Sequence, residues 1–239
     1  MSKLIAVTGA SRGIGRAIAL RFASAGFDIV ACARNSHDLQ ALKHDLERQF
    51  HVSVHVYAAD LSDKRQAQAF AQFVSTLQTP VDVLVNNAGL FVPGDLSTEP
   101  EGNLEAMIGA NLYSAYHVTR GLVAMMKQQR SGHIFNMCSI ASFTAYPNGG
   151  SYAISKFALL GFSRCLREEL KPFGIRVTSV MPGATWTDSW MGSGLPQERF
   201  IPAGDVAEAI FSAHSLSPSS VVEDLVIRPQ LGDIRDEGG

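Results

Sequence analysis

The chain has 239 residues, a formal net charge of −2 and hydrophobic residues at 46% of its positions. This length suits one large domain or two small ones and is ample for a full hydrophobic core. The near-zero charge gives no indication of a nucleic acid or an anionic membrane as partner, and no apolar run approaches the ~20 residues of a membrane span.

Short apolar runs alternate with longer amphipathic stretches along the chain. Several runs are apolar almost throughout, as expected for strands covered on both faces. This alternation predicts an α/β fold, a parallel sheet of about seven strands with helices on both faces. The predicted strands are 4–9, 28–33, 52–60, 81–89, 132–139, 175–183 and 221–229. The predicted helices are 14–25, 38–49, 64–77, 103–127, 152–171 and 205–213.

No linker divides the chain, so residues 1–239 are predicted to form a single domain. The stretch around 186–203 contains glycines and prolines and is expected to form a short substrate lid. The opening residues MSKLIAVTG run straight into a predicted strand, so we expect no signal peptide and a cytoplasmic location. An odd number of well-separated cysteines fits reduced thiols there. The histidines lack metal-ligand spacing, and no metal is predicted.

A glycine-rich turn follows the first predicted strand. In LIAVTGASRGIGRAIAL, Gly9, Gly13 and Gly15 separate an apolar run from an amphipathic one. Glycines let such a turn tighten and approach a phosphate, and the helix that follows offers free N–H groups to the anion. A purely structural turn is the alternative. In an alternating α/β chain, the pattern favours a dinucleotide site.

The end of the second predicted strand bears on the choice of dinucleotide. NAD-binding sheets usually place an acidic residue there for the ribose 2′-hydroxyl. Here the strand ends ACARN, with Arg34 in place of an acid, and Arg12 lies within the glycine turn. Guanidinium groups form strong charge-assisted bonds to phosphate, so the pair favours NADP. The alternative is that both are solvated surface charges.

The segment SYAISK places Tyr152 and Lys156 four residues apart, on one face of a predicted helix. A free tyrosine has a pKa of about 10 and is a poor acid and a scarce base at neutral pH. A neighbouring ammonium favours the phenolate, so Lys156 is expected to lower the pKa of Tyr152. Tyr152 could then exchange a proton with a carbonyl or alcohol oxygen. Alternatively, the pair is a packed ring and a solvent-reaching lysine.

Further motifs occur in order along almost the whole chain. They are TGASRGIG (8–15), DLSD (60–63), NNAG (86–89), YAISK (152–156) and PGATWT (182–187), with Ser139 placed thirteen residues before Tyr152 and Asn111 within the fourth predicted helix. Together they resemble the motifs of the short-chain dehydrogenase/reductase family, in its compact single-domain form. That resemblance implies a Rossmann-type, doubly wound sheet and an oxidoreductase that uses NADP, with NADPH preferred over NADH.

The resemblance also implies site residues. The catalytic set is Asn111, Ser139, Tyr152 and Lys156. The implied cofactor contacts are Gly9, Ser11, Arg12, Gly13, Ile14, Gly15, Arg34, Asp60, Leu61, Asn87, Ala88, Gly89, Tyr152, Lys156, Pro182, Gly183, Thr185 and Thr187.

Each implied catalytic residue has a role. Ser139 would donate a hydrogen bond to the substrate oxygen, although Ser142 is a nearby rival. Lys156 would also hold the nicotinamide ribose. Asn111 would anchor a water that links Lys156 to solvent, or else it is a core amide bonded to backbone.

Apolar and aromatic loop residues are expected to line the substrate pocket. The candidates are Ser139, Phe143, Tyr146, Tyr152, Trp186 and Trp190, together with Phe91, Val92 and Met191. The aromatic ones could equally pack loop against loop. The lining suits a flat aromatic carbonyl, such as a pterin, or a small diketone. The alternatives are a 3-oxoacyl thioester and a non-catalytic NADP(H) sensor.

Two departures from the family pattern concern the second half of the chain. Thr185 replaces a usual valine, which is a mild change. The C-terminal segment VVEDLVIRPQLGDI (221–234) replaces a glycine-rich tail and, with Trp190, is more similar to bacterial sepiapterin-reductase-like members. In relatives, the helices corresponding to 103–127 and 152–171 form a dimer interface. We therefore expect a homodimer or a homotetramer, with the tetramer in doubt.

Overall fold

The computed structural model describes residues 2–190 and 194–234. Its strands are β1 (Leu4–Thr8), β2 (Asp28–Ala33), β3 (Val54–Ala58), β4 (Val81–Asn86), β5 (Gly132–Met137), β6 (Ile175–Pro182) and β7 (Asp224–Ile227). Its α-helices are α1 (Gly13–Ala23), α2 (Ser36–Phe50), α3 (Lys64–Thr76), α4 (Asn103–Ile108), α5 (Ser114–Gln129), α6 (Gly150–Leu170) and α7 (Ala203–Ser215).

The seven strands form one sheet in the order β3-β2-β1-β4-β5-β6-β7, and every pair is parallel. This confirms the predicted doubly wound, parallel α/β fold. The chain first builds outward from β1 to β3, then returns to place β4 on the other side of β1. The strand order therefore reverses between β1 and β4, the point at which open α/β sheets bind ligands.

Helices cover both faces of the sheet because strand side chains alternate between the faces. In β4, Val83 and Val85 pack into the layer that includes α1, α2 and α7. Leu84, between them, packs into the opposite layer, which includes α3, α5 and α6. All three are fully buried. This two-sided burial is why the strands are apolar almost throughout.

Local side-chain chemistry sets several helix boundaries. The Asn35 side chain caps α2 by accepting hydrogen bonds from the backbone N–H groups of His37 and Asp38 at 2.9 and 3.3 Å. Asp63 caps α3 in the same way, accepting from the N–H of Gln66 at 2.9 Å. The α2 helix ends at His51, whose φ of 55° lies in the left-handed region.

The single helix predicted at 103–127 is interrupted. A π-helical turn, Gly109–Tyr113, separates α4 from α5. Asn111 lies within this turn and bonds to the backbone of Leu90, which follows β4. Single π-helical turns often occur at functional sites. Hydrophobic periodicity alone does not reveal the interruption, because the apolar face continues through it.

Within the part of the chain that the structure describes, no helix is both long and apolar enough to cross a membrane. The same residues contain no cluster of three or more histidine, cysteine or acidic side chains that could hold a metal ion.

Candidate active site

A cleft of about 800 Å³ opens at the reversal point of the sheet, beyond the ends of β1, β2 and β4. Its lining includes a large part of the predicted cofactor set: Gly9, Ser11, Arg12, Arg34, Asp60, Leu61, Ala88 and Gly89. It also includes residues that the sequence motifs did not indicate: Ala33, Asn35, Asp38, Ala59 and Ser62, and, beyond β4, Leu90, Glu105, Ala106, Gly109, Ala110 and Ser114.

The glycine turn is closely packed, which explains its residue types. Gly9 and Gly13 have φ values of 63° and 50°, in the left-handed region. A Cβ on Gly15 would lie 2.2 Å from the Gly9 carbonyl oxygen, and one on Gly13 would lie 3.0 Å from the Thr187 side chain. The turn thus lies against both the start of α1 and the segment after β6.

The start of α1 has no side-chain cap from its N-cap residue. Arg12 occupies the N-cap position and makes no side-chain capping bond within the described residues. It does not supply the cap that Asn35 supplies to α2. The N-terminus of a helix behind a tight glycine turn is suited to binding a phosphate, so the residues present fit a dinucleotide.

Asn87 fastens the glycine turn to β4. Its side-chain amide donates to the carbonyl oxygens of Thr8 and Gly9, both at 3.0 Å. The Thr8 hydroxyl accepts hydrogen bonds from the N–H groups of Asn87 and Ala88, at 2.9 and 3.0 Å. Asn87 thus acts on the turn itself. Thr8 opens the glycine motif in the sequence, but its role between two strands becomes evident only in the fold.

Both arginines predicted to recognise a phosphate lie near carboxylates. Arg12 donates through Nε to Asp38 at 2.9 Å, and its Nη1 lies 3.5 Å from Asp188. These acids raise the pKa of Arg12, chiefly through the hydrogen bond that it donates to Asp38. Arg34 is exposed. Its charge helps lower the pKa of Asp60, after the larger effect of the hydrogen bond from the Ser62 hydroxyl.

Three predicted catalytic side chains meet beyond β5. Ser139 follows β5 and lies close enough to Tyr152 of α6 for its hydroxyl to lower the Tyr152 pKa. Lys156, one helical turn further, has its Nζ 5.6 Å from the centre of the Tyr152 ring. The same Nζ donates to the Met137 carbonyl oxygen at 2.8 Å. It would also lie 3.7 Å from a Cβ placed on Gly89, so the lysine is next to the cleft.

The pKa of Tyr152 differs from the sequence-based expectation. Burial raises it to about 12, and the hydrogen bond with Ser139 opposes that rise. Burial likewise lowers the pKa of Lys156 to about 8. The expectation that Lys156 lowers the Tyr152 pKa is therefore wrong for the protein alone. Loss of hydration disfavours the charged form of each group and outweighs the neighbouring charge. At neutral pH, Tyr152 is a protonated phenol.

Asn111 makes the contacts of a core amide. Its Oδ1 accepts from the Leu90 N–H at 2.7 Å, and its Nδ2 donates to the Leu90 carbonyl and to the Ser155 hydroxyl at 2.9 and 2.8 Å. The Ser155 hydroxyl in turn donates to the Tyr152 carbonyl oxygen at 2.7 Å. The side chain of Asn111 therefore braces the loop after β4 against the Tyr152 turn of α6.

Ser142 supports Ser139. Its hydroxyl accepts the Ser139 backbone N–H at 3.2 Å and is fully buried. Ser139 in turn accepts the Ala141 N–H at 3.1 Å, which closes a short 3₁₀ turn. Of these two serines, Ser139 is the one that affects the pKa of Tyr152.

The candidate substrate-binding residues on the loops after β4 and β5 either contact the Tyr152 side chain or are open to solvent. The Phe91 ring meets the Tyr152 ring edge to face, with 4.7 Å between centres. Phe143 and Tyr146 are 42% and 40% exposed despite being aromatic. The guanidinium of Arg228, from the C-terminal segment, lies 5.9 Å from the Phe143 ring centre. This segment therefore adjoins the loop that follows Ser139.

The two tryptophans pack against a residue that the motifs did not indicate. Trp186 and Trp190 have ring centres 5.1 and 5.0 Å from that of Phe200. The backbone of Trp186 also donates to the Ile201 carbonyl at 2.9 Å. These contacts are of the loop-against-loop kind, and they hold the two ends of the predicted lid together. Met191 lies outside the described residues.

The remaining predicted cofactor residues follow β6. Pro182 ends the strand, and the Gly183 N–H donates to the Ile227 carbonyl at 2.8 Å. Thr185 is buried and donates to the Gly183 carbonyl at 3.0 Å. Thr187 lies against the glycine turn at Gly13. The fold thus brings this motif to the same edge of the sheet as the turn after β1.

Comparisons with known proteins agree with this geometry. A family profile described as short chain dehydrogenase matches residues 3–197. A sepiapterin reductase from Chlorobaculum tepidum is 31% identical, over 99% of this chain and all of the relative. An alcohol dehydrogenase from Thermococcus sibiricus, solved with 5-hydroxy-NADP, superimposes with a TM-score of 0.91 at 29% identity, over 98% of this chain and all of the other. L-sorbose reductase from Gluconobacter frateurii, solved with NADPH and L-sorbose, gives 0.88 at 26% identity, over 95% of each chain. The similarity to sepiapterin-reductase-like proteins inferred from the C-terminal segment is thereby confirmed.

Proposed function

Because the chain belongs to the short-chain dehydrogenase family, we propose that it is an NADPH-dependent oxidoreductase that reduces a carbonyl group to an alcohol. One observation carries the proposal. Tyr152 is influenced by the Ser139 hydroxyl and lies one helical turn from the buried Lys156, whose Nζ is 5.6 Å from its ring centre, beside a cleft at the switch point of the sheet. This is the arrangement of a proton donor with a residue that can orient the acceptor.

NADP is the proposed cofactor. The neighbours from Thermococcus sibiricus and Gluconobacter frateurii were solved with a derivative of NADP and with NADPH. In this chain, the open start of α1 would hold the pyrophosphate, and Arg12 and Arg34 would bind the 2′-phosphate. Lys156 would hold the nicotinamide ribose, and Thr185 and Thr187 the carboxamide.

When bound, the cofactor supplies the hydride. The protein has to hold the carbonyl oxygen and provide a proton. The Ser139 hydroxyl would donate a hydrogen bond to that oxygen and fix its position. Tyr152, protonated at neutral pH because its pKa is about 12, would deliver the proton as negative charge develops on the oxygen. Lys156 would stabilise the tyrosinate left behind. Because the phenol is protonated at neutral pH, it is available as the donor that reduction needs.

The proposed substrate is a flat aromatic carbonyl compound such as a pterin, or a small diketone. Phe91 packs against Tyr152, and the exposed rings of Phe91 and of Phe143, on the loop after Ser139, offer stacking surfaces. The similarity to a sepiapterin reductase supports the same class.

NADPH oxidation by the purified protein against a carbonyl panel tests the proposal. The panel contains sepiapterin, diketones, aromatic aldehydes and a 3-oxoacyl thioester, with NADH in parallel. Turnover of one class with NADPH, and its loss in Tyr152→Phe, is the expected result. Saturable NADPH binding without turnover of any compound would contradict catalysis and support a nucleotide sensor.

A homodimer is part of the proposal. The exposed side of α6 carries Ile154 and Phe157, and Tyr113 of the adjacent π-helical turn is also exposed. Large apolar side chains clustered on one exposed surface are typical of an interface.

A further inference from the structure

We propose that Asp38 determines how strongly the site prefers NADP over NAD, because its carboxylate competes with a 2′-phosphate for Arg12. The inference rests on the proposed function and deepens it. Asp38 lies on α2, outside every motif that indicated the cofactor site, yet it lines the same cleft as Arg12 and Arg34.

The contact between Asp38 and Arg12 uses the edge of the guanidinium that would suit a phosphate. Arg12 Nε and Nη2 both lie against Asp38 Oδ2, at 2.9 and 2.8 Å. Adjacent N–H groups of a guanidinium form a planar fork that matches carboxylate and phosphate oxygens alike. A 2′-phosphate that engages this fork must therefore displace the carboxylate or share the fork with it.

Asp38 is the better anchored partner of the two. Its side chain is 21% exposed, whereas that of Arg12 is 63% exposed. Its backbone N–H donates to the capping side chain of Asn35 at 3.3 Å. It also lies in the first turn of α2, where the helix dipole stabilises a negative charge. The carboxylate is thus a fixed feature of the cleft, and Arg12 must adjust when a phosphate binds.

Two further acids also offset the positive charge of the arginines. The Nη1 of Arg12 lies 3.5 Å from Asp188, whose side chain is 60% exposed. Arg34 acts on Asp60, which also lines the cleft. The positive charge of the two arginines is therefore partly offset where a 2′-phosphate would lie. We expect a weaker preference for NADP than two arginines alone would give.

Asp38→Asn is the direct test, and Asp45→Asn is its matched control. Asp45 also lies on α2 and also pairs with an arginine of the α1 region, Arg16, at 3.3 Å, with both side chains 42% exposed. Neither Asp45 nor Arg16 lines the cleft. Asp38→Ser provides a second variant, and melting temperatures confirm that each protein folds.

The measurement is isothermal titration calorimetry of the wild type and the variants with NADP⁺, NAD⁺ and adenosine 2′,5′-bisphosphate. Loss of a competing charge at an exposed site should tighten NADP⁺ and adenosine 2′,5′-bisphosphate binding by about fivefold in Asp38→Asn, the scale of one exposed ion pair. NAD⁺ binding should stay within about twofold, and Asp45→Asn should match the wild type. High salt should reduce the gain.

Equal or weaker NADP⁺ binding in both Asp38 variants would overturn the inference, since Asp38 would then be idle or would orient Arg12 toward the phosphate. Tighter binding of NAD⁺ by the same factor would also overturn it, because the effect would not depend on the 2′-phosphate. A wild type that binds no NADP⁺ would refute the proposed function, and this inference with it.

Discussion

The Ser139 hydroxyl, in the turn after β5, acts on the Tyr152 side chain of α6 and lowers its pKa. The two residues are the proposed guide of the substrate oxygen and the proposed proton donor, and the fold brings them together before a substrate arrives. Preorganised donors of this kind avoid a reorganisation cost during the reaction. The effect of Ser139 on the Tyr152 pKa opposes that of burial.

Tyr152→Phe should lower kcat for carbonyl reduction by about 10²- to 10⁴-fold, the usual contribution of a general acid. The ring and its contact with Phe91 are kept, so the fold should persist. Steady-state NADPH oxidation measures the effect. Tyr57→Phe is the control, because Tyr57 packs against Phe70 and Phe73 and lies outside the cleft lining. Unchanged turnover in Tyr152→Phe would refute the mechanism.

Ser139→Ala should change the pH dependence as well as the rate. Removing the hydrogen bond takes away an interaction that lowers the Tyr152 pKa, so that pKa should rise further. Alcohol oxidation needs the deprotonated phenol and should therefore start to increase at a higher pH than in the wild type. We expect kcat for reduction to fall by about 10²-fold, as for loss of an oxyanion donor. A rate loss with an unmoved pH profile in the oxidation direction would contradict the link between the two residues.

Gly15→Ala should destabilise the protein and abolish nucleotide binding. The added methyl would lie 2.2 Å from the Gly9 carbonyl oxygen, a backbone atom that cannot yield without opening the turn. We expect a loss of about 1–3 kcal/mol in the free energy of unfolding, as for overpacking. Urea denaturation and NADPH titration test this. Gly204→Ala is the control: apart from its chain neighbours and its own helix backbone, the added methyl meets no atom of the described residues within 4 Å, so its unfolding midpoint should stay close to that of the wild type.

Acid should destabilise the fold through two histidines, the buried His133 and the partly buried His214. Burial lowers the pKa of His133 to about 2 and that of His214 to about 4. Both pKa values lie below the unfolded value of about 6.5, so the unfolded chain binds more protons under acid conditions. The contribution of each neutral histidine to the free energy of unfolding is fully present above about pH 6.5. As the pH falls from there toward the pKa of the folded state, each contribution decreases by about 1.4 kcal/mol per pH unit.

His214→Phe should reduce the slope of the free energy of unfolding against pH. The ring lies among Phe22, Phe27 and His133, where a phenyl group can pack. Chemical denaturation between pH 7 and pH 5, compared with the wild type and with His37→Gln at an exposed position, measures the slope. Equal slopes in all three proteins would show that His214 stays neutral in the unfolded chain or is hydrated in the folded one.

Phe157→Glu should weaken self-association. Phe157 is 46% exposed on α6, and a carboxylate buried between two copies would lose its hydration. Light scattering after size-exclusion chromatography should give a dimer for the wild type and a monomer for the variant. Leu96→Glu, at a more exposed site on the loop after β4, is the control and should remain dimeric. A monomeric wild type would refute the proposed dimer.

The sequence by itself predicted the seven strands in order and most of the helices, and it indicated a cofactor site after β1. Strands covered on both faces are recognisable because each residue of β1 is buried, so the whole run must be apolar. The glycine turn is recognisable because positive φ values at Gly9 and Gly13 and the tight contact at Gly15 leave little choice of residue. These are local requirements of the backbone, and they appear as patterns within a few neighbouring residues.

Only the tertiary structure decided the electrostatics of the site and the contacts of its loops. Arg12 and Asp38 lie 26 positions apart in the chain and meet because α1 and α2 cover the same face of the sheet. The direction of the Tyr152 pKa shift depends on burial, which opposed the attraction expected from Lys156. Trp186 and Trp190 pack on Phe200 because the predicted lid folds back on itself. Desolvation and ion pairing depend on all the groups that surround a side chain. Those groups come from segments far apart in the sequence, which local sequence patterns do not connect.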